Sequence, residues 1–424
     1  MRILIIGGGA REHALAWKIR QSPLVDTLYA APGNPGIARH GTCVAIKPEQ
    51  HDEVVAFASR ERVDLTLIGP EAPLAAGLAD RFSEQRLTAL GPSRAAAQLE
   101  ASKAFAKALM ARHGIPTARF ATFDDAGEAQ AYCRRFGTPL VVKADGLAAG
   151  KGAIVCRTLE HCEAAIRTCM EERAFGEAGR VVVVEEFLTG EEVSFFAVAN
   201  GTEAVALGAA QDHKTVFDGD RGPNTGGMGA YSPVPRFDAA TERLVMETIV
   251  SPTITALAKE GLPYRGVLFA GLMMTPAGPR VLEFNCRFGD PECQALLPRL
   301  EDDLVTLLLA AARGEPLPER TQWRRDAAVA VTVASGGYPG AYRTGLAIAG
   351  LDEAAAMDGV HVFQAGTALH DGRLVTAGGR VLSVTATASA LPEAIRRVYA
   401  AVSRIRFEDM HYRRDIGHRA LVTN

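Results

Sequence analysis

The chain has no uninterrupted apolar segment long enough to span a bilayer. It also has little net charge, with 46 Lys and Arg against 49 Asp and Glu, a formal balance of −3. That leaves no basic footprint for nucleic acid or for an anionic membrane. The seven cysteines, at 43, 133, 156, 162, 169, 286 and 293, are odd in number and contain no CxxC pair. Neither a zinc site nor a redox pair is indicated. They read as buried free thiols in a reducing cytoplasm. HExxH-type histidine spacing is missing, as are a 20–50-residue repeat and a low-complexity tail. The opening MRILIIGGGA is too short for a secretion signal and reads as a strand and a turn. No heptad or exposed apolar stripe stands out, so a monomer is expected.

At 424 residues the chain exceeds one ordinary core, and two to four domains are expected. Strands at 2–6, 27–31 and 65–68 alternate with helices at 11–20 and 54–59, which predicts an open parallel α/β sheet. An amphipathic helix is expected over 94–113. A smaller unit follows, with strands at 139–144, 153–156 and 180–187 and a helix at 159–172. Strands at 193–199 and 204–210 pair next. A Gly-rich loop spans 217–235, a helix 240–260, and two strands lie at 266–275 and 280–285. From 327 short strands and a final helix at 391–405 suggest a separate α/β or β-rich module.

Five stretches carry candidate chemistry. The first turn, Gly7-Gly8-Gly9-Ala10-Arg11-Glu12, offers backbone N–H groups and a helix N-terminus to an anion. Glu12 stands where a dinucleotide fingerprint needs its third glycine, so NAD is disfavoured and a phosphate-bearing small molecule fits better. A plain tight βα turn is the alternative. The second stretch is Lys143-Ala144-Asp145-Gly146-Leu147-Ala148-Ala149-Gly150-Lys151-Gly152. Gly152 replaces the Ser or Thr of a Walker A loop, yet such a loop can fold over a triphosphate. In the third, the strand 181–184 runs into Glu185, Glu186, Phe187 and Leu188, with Glu192 beyond. It suits an adenine slot or, alternatively, a solvated acidic turn. In the fourth, period-two alternation puts Glu283 and Asn285 on one strand face, about 6.5 Å apart. Those hard oxygen ligands suit Mg²⁺ bridging phosphates. Arg287 follows, placed to meet anionic oxygen. The loop 212–229 adds Asp212, His213, Lys214 and Asn224, a density of polar groups suited to a polar substrate.

Taken together, these stretches resemble the glycinamide ribonucleotide synthetases of the ATP-grasp superfamily. The resemblance is carried most specifically by RFGDPE at 287–292. IGGGAREHALAWK at 6–18, GPEAPLAAG at 69–77, KADGLAAGKG at 143–152 and EEFLTGEEVSF at 185–195 support it. So do the 212–233 loop, ASGGYPG at 334–340 and YRRDIGHRAL at 412–421. It covers essentially the whole chain. It implies an ATP-grasp fold, α/β and α+β in several domains, behind an N-terminal open parallel α/β domain and before a small C-terminal domain. The implied divisions are an N-terminal substrate domain at 1–102 and domain A at 103–122 and 190–326. Domain B, an ATP lid, would span 123–189, and the C-terminal domain 327–424.

The implied reaction joins glycine to 5-phosphoribosylamine with ATP, through glycyl phosphate, in purine synthesis. Another ATP-grasp ligase of that pathway is the nearest alternative. A nicotinamide oxidoreductase and a non-catalytic nucleotide-binding module are more distant ones. By the same resemblance Lys103, Lys143, Gly146, Gly150, Lys151 and Gly152 hold ATP phosphates. Glu185, Glu186, Phe187 and Leu188 meet the adenine, and Glu192 the ribose. Glu283 and Asn285 bind Mg²⁺ or Mn²⁺. Gly8, Gly9, Arg11, Glu12 and Glu71 hold the phosphoribosyl group. Asp212, Lys214, Asn224, Arg287, Gly289 and Asp290 face the substrates, with Arg287, Asp212 and Lys143 as the catalytic set. Two departures stand out. Strand 266–275 lacks the third metal-ligating carboxylate frequent in the superfamily, and Ala10 replaces a frequent glycine.

Overall fold

A computed structural model describes residues 1–148 and 152–421. Gly150 and Lys151, expected over the ATP phosphates, lie outside the described residues.

The first strand, Arg2–Gly7, is buried from Ile3 onward, as an inner parallel strand must be. It pairs in parallel with Thr27–Pro32 on one side and Leu65–Ile68 on the other. The five-stranded order places the chain reversal beside this strand. In such sheets the crevice at the carboxyl ends of the strands, where the order reverses, is the ligand position. Here it lies between Gly7 and Gly69. The pleat sends Ile3 and Ile5 into one core and Leu4 and Ile6 into another.

The smaller unit, expected to be the lid and so called below, is a four-stranded antiparallel sheet of Phe120–Phe123, Val182–Glu186, Leu140–Ala144 and Ala153–Cys156. Helices Ala126–Phe136 and Leu159–Ile166 cover it. Among the described residues all seven cysteines are free, and every one but Cys43 is buried.

The main body is an eight-stranded sheet that includes Gly278–Asn285, Tyr264–Thr275, Glu191–Gly201 and Ala204–Asp212. It does not stop at the expected boundary near 327. Strand Gly229–Ser232 pairs with Ala204–Asp212 on one side and with Ala327–Ala334 on the other. The sheet of the C-terminal module therefore continues that of the main body. The stitching strand hides in the 217–235 stretch, read from its glycines and prolines as loop. His13 Nδ1 accepts from Gln364 N at 2.7 Å, and Asn34 Nδ2 donates to Gln364 O at 2.7 Å, which docks this module on the N-terminal sheet.

Two helices differ from expectation. The stretch over 94–113 splits into Gln98–Ala101 and Lys103–His113. Ser102 adopts extended backbone and caps the second helix, accepting at Oγ from Phe105 N. The break places Lys103 in a first helical turn against the lid. Helix Leu304–Arg313 is not among the expected elements. Its leucines pack into the core shared by the N-terminal and main sheets.

Candidate functional site

Strand register gathers the polar residues. Gly271 pairs with both Glu283 and Ser194, and Ser194 pairs with Ala210. Directly paired residues share a sheet face, as do residues two apart on one strand. Glu283, Asn285, Ser194, Glu192 and Asp212 therefore all stand on one face. Further along, that face is apolar, with Phe196 and Phe269 in the core. The register slips at Leu282, just before Glu283, and the expected pairing of Glu283 with Asn285 on one face survives the slip.

The lid meets this sheet through buried charges. Glu185 is only 2% exposed. Lys107 Nζ lies 3.0 Å from its Oε2 and Lys143 Nζ 3.0 Å from its Oε1. Lys143 also donates to the carbonyl of Leu282 at 2.8 Å. Lys107 donates to Thr117 Oγ1 at 2.7 Å, and that hydroxyl donates to the Val281 carbonyl at 2.7 Å. Two lysines on one carboxylate thus bind the lid strands to the strand carrying Glu283. Burial lowers the Lys107 pKa to about 8, against the pull of Glu185. Lys103 Nζ donates to Gly146 O at 3.0 Å, and Asp145 accepts from Ser102 Oγ at 3.0 Å. Glu186, one residue along the strand, turns its carboxylate to Arg119 at 2.7 Å. The pleat separates it from the Lys107–Lys143 side, so its side chain leaves the expected adenine slot.

Burial alone would raise Glu283, but Lys214, Lys143, Lys103 and Arg287 outweigh it and hold the carboxyl below its ordinary range. An ionised carboxylate beside the Asn285 amide fits a hard divalent cation whose remaining ligands come from phosphate and water. Gly271 stands opposite Glu283, so no third protein ligand comes from that strand. Among the described residues no group of three His, Cys, Asp or Glu forms a metal cage.

Arg287 is clamped rather than free. Its Nε meets Glu71 Oε2 at 3.0 Å, and Nη2 meets Glu100 Oε1 at 3.3 Å and Asn285 Oδ1 at 3.4 Å. Glu100 also accepts from Cys286 N at 2.7 Å, and burial raises its pKa. Glu100, like Lys107, was not expected from sequence. Each sits on an ordinary-looking helix, and only the fold shows what it touches.

In the first turn the glycines serve Glu12. Its Oε2 accepts from Gly9 N at 2.7 Å and its Oε1 pairs with Arg11 Nε at 2.7 Å. A Cβ on Gly7 would lie 2.8 Å from Glu12, and one on Gly69 2.2 Å from it. The space that the third fingerprint glycine would leave open is filled by this carboxylate, and the Gly9 amide is already taken. Gly8 packs against Gly33, and its carbonyl accepts from Asn34. Arg11 also donates to Phe288 O at 3.1 Å, which brings the 287–290 loop over the crevice beside Glu71. Asp290 is held by Gln294 Nε2 at 2.7 Å and by Arg380 Nη2 at 3.0 Å, so the C-terminal module reaches the site through Arg380.

Asp212 is 9% exposed, and burial pushes it up to about 7, with Lys214 opposing and Glu292 and Glu192 reinforcing. Lys214 Nζ pairs with Glu192 Oε2 at 2.7 Å, a contact that holds Glu192 below its usual range. Asn224 is apart from these. It is exposed on a hairpin and lines a separate cleft of about 1020 Å³ with Phe217, Tyr338 and His411. Phe187 and Leu188 are half-buried where the lid strand ends.

The chain matches three family models in succession. They are the phosphoribosylglycinamide synthetase N domain over 1–100, its ATP-grasp (A) domain over 101–293 and its C domain over 328–419. It is 54% identical over 421 residues to a phosphoribosylamine–glycine ligase of Agrobacterium fabrum, covering 99% of each. The chain belongs to the phosphoribosylamine–glycine ligase family. The Escherichia coli O6:H1 relative of the same name is 50% identical, again over 99% of both chains. A crystal structure of the Thermotoga maritima phosphoribosylamine–glycine ligase superposes with a TM-score of 0.84 at 34% identity, covering 98% of this chain and 100% of that one. A biotin carboxylase domain from Hydrogenobacter thermophilus, 16% identical with a TM-score of 0.75, shares the fold. The ATP-grasp expectation, with its parallel N-terminal sheet and C-terminal domain, is therefore met.

Proposed function

We propose that the face bearing Glu283, Ser194 and Asp212 is where ATP, glycine and 5-phosphoribosylamine meet, and that the chain is an ATP-dependent phosphoribosylamine–glycine ligase of purine synthesis. One observation supports this best. A surplus of ammonium groups at the lid hinge and a surplus of carboxylates on the sheet face stand on either side of Glu283.

A carboxylate is a poor electrophile. Attack of a glycine carboxylate oxygen on the γ-phosphoryl group breaks the bond to ADP and gives glycyl phosphate. The amine of phosphoribosylamine then attacks the carbonyl carbon, loses one proton, and phosphate departs. Lys103 and Lys143 hold the phosphates of ATP under the lid loop. Glu185 and the backbone at Leu188 read the adenine, and Glu192 reaches the ribose. Glu283 and Asn285 hold Mg²⁺ or Mn²⁺, which supplies charge neutralisation at the phosphates. Arg287, fixed by Glu71 and Glu100, offers a preset positive charge to the developing oxyanion. The phosphoribosyl group takes the crevice between Gly7 and Gly69, beside Arg11, Glu71 and Asp290. Asp212 and Lys214 attend the glycine side.

No helix among the described residues is long and apolar enough to cross a membrane. Seven free thiols among the described residues suit a reducing compartment such as the cytoplasm. The test is ADP release with each substrate omitted in turn. Turnover requires all three. Release that proceeds equally with bicarbonate or formate in place of glycine would refute the substrate assignment.

A further inference from the structure

Two polar stretches of the sequence, 218–222 and 412–421, have no part in the reaction outlined above, and in the structure they meet each other. The first is the turn between strands Thr215–Phe217 and Arg221–Asn224, just beyond Asp212, His213 and Lys214. The second follows helix Leu391–Val402, far away in sequence.

Arg413 joins them, and its side chain is wholly buried. Its guanidinium meets Asp415 side on, with Nε donating to Oδ1 at 2.8 Å and Nη2 to Oδ2 at 2.7 Å. Nη2 also reaches Asp220 Oδ1 at 3.0 Å, and Nη1 donates to the Thr215 hydroxyl at 2.9 Å and carbonyl at 3.2 Å. All five N–H groups are thereby used, the condition under which a buried guanidinium is tolerated. Asp220 sits at φ +54°, a left-handed conformation that a non-glycine residue keeps only where its surroundings hold it. The two stretches are also tied through their backbones. Asp415 accepts from Gly219 N at 2.8 Å, and Asp218 from Arg414 N at 2.7 Å. From the other side the Tyr399 hydroxyl donates to Arg413 O at 2.9 Å and accepts from Ile416 N at 3.0 Å.

Arg419 extends this anchorage to the active-site strand. Its Nη2 meets Asp220 Oδ1 at 2.7 Å, and its Nη1 donates to the backbone carbonyl of Asp212 at 3.0 Å. Next to that carbonyl the His213 ring is fully buried, 5.6 Å from the His418 ring and 6.1 Å from that of Tyr231. Neither of its nitrogens has a partner among the described residues, and burial, with Arg419 and Arg413 adding to it, holds its pKa down at about 3. The ring is therefore uncharged and serves as packing. A close-packed contact of this kind transmits a displacement instead of absorbing it.

We propose that segment 411–420 is a positioning element of the active site and that Arg419, anchored through Asp220 and Arg413, fixes the Asp212 carbonyl and so the direction in which Asp212 and Lys214 present their side chains. This rests on the reading that puts those two residues on the glycine side. Arg419 acts through the backbone of Asp212 and is a positioning residue. The guanidinium fork is what the role needs. A lysine keeps the charge as a single point and cannot hold Asp220 and the Asp212 carbonyl together.

Steady-state kinetics of Arg419→Met, Arg419→Lys, Asp212→Asn and the double variant Asp212→Asn/Arg419→Met test this on the full chain. Arg419 is partly exposed, and Arg413 still anchors the segment, so both single Arg419 variants are expected to fold. The KM for glycine should rise about 10-fold in Arg419→Met and about 3-fold in Arg419→Lys. The KM for ATP should stay within about 2-fold, whereas general loosening of the fold would raise both together. The double variant is decisive. If Arg419 acts through Asp212, its loss adds less than about 2-fold to the glycine KM of Asp212→Asn, while independent roles would multiply. The proposal is overturned by an unchanged glycine KM in both Arg419 variants, by an equal rise in the KM for ATP, or by multiplying effects in the double variant. If Asp212→Asn itself leaves the glycine KM unchanged, the reading of Asp212 is what fails, and the proposal falls with it.

Discussion

Around Glu185 the protein supplies every partner itself. Two ammonium groups share one carboxylate, and their spare protons go to Thr117 and to the Leu282 carbonyl. Around Asp212 the reverse holds. Three carboxylates, on Glu192, Asp212 and Glu292, share one lysine, and that lysine is committed to Glu192. Glu185, Asp212 and Glu292 are buried, and lysines of both groups act on Glu283. One is a buried ion-paired group with positive charge to spare, suited to a polyphosphate. The other is unfinished and negative, suited to an ammonium. Burial raises the cost of an unmatched charge, so each surplus marks what is missing. On the proposed function the lid side holds its shape before ATP arrives, and the sheet face is completed by a substrate.

The largest effect is expected where the two regions meet. Glu283 feels Lys103 and Lys143 from one and Lys214 from the other. Glu283→Ala should lower ADP formation by about three orders of magnitude. Its circular dichroism should match the parent, because the side chain stands at the rim of the sheet rather than in its apolar core. Retained turnover would remove the metal assignment and with it the boundary between the regions.

A second substitution breaks the ion-paired group. Lys107→Met fits the space but leaves Thr117 without its donor and Glu185 with one lysine. Breaking one side of a buried charge group of this kind is expected to cost about 2–3 kcal/mol. Urea unfolding of the full chain measures that. Through Glu185 the KM for ATP should rise about 10-fold, with the KM for glycine unchanged. A variant as stable as the parent would show that Lys143 alone suffices.

Much of this was legible in the sequence and some of it was not, for separable reasons. The parallel N-terminal sheet follows from alternating strands and helices, and the shared face of Glu283 and Asn285 follows from a period of two. Lys143 and Glu185 were visible as charged residues on apolar strands. Lys107, Glu100, Ser194 and Glu292 were not, since each acquires its meaning from a partner on another element. The same limit hid the strand Gly229–Ser232, whose glycines and prolines look like loop until it is seen to join two halves of a sheet. Asn224 lies near Asp212 in sequence but is exposed on a hairpin. The first turn shows a contact of the same kind. Its glycines make room for Glu12 from the following helix, whose carboxylate takes the Gly9 amide.

The smallest effect tests the unfinished region directly. Asp212 has its pKa raised from 3.8 to about 7, burial being the first cause and Glu292 and Glu192 adding to it against Lys214 and Arg419. Between these two values the unfolded chain releases a proton that the folded chain retains. Stability therefore falls as pH rises from about 4 to about 7 and levels off above, once the folded group has ionised too. Asp212→Asn has no proton to lose, so the difference between parent and variant isolates this contribution. The parent should lose stability relative to the variant across that window, in urea unfolding without substrates. At the lid hinge no such trend is expected from Lys107, whose lowered pKa of about 8 lies above this range. A difference that is flat, or that favours the parent as pH rises, would mean that Asp212 already has a cation of its own. The contrast between a finished hinge and an unfinished face would then fail at the residue on which it most depends.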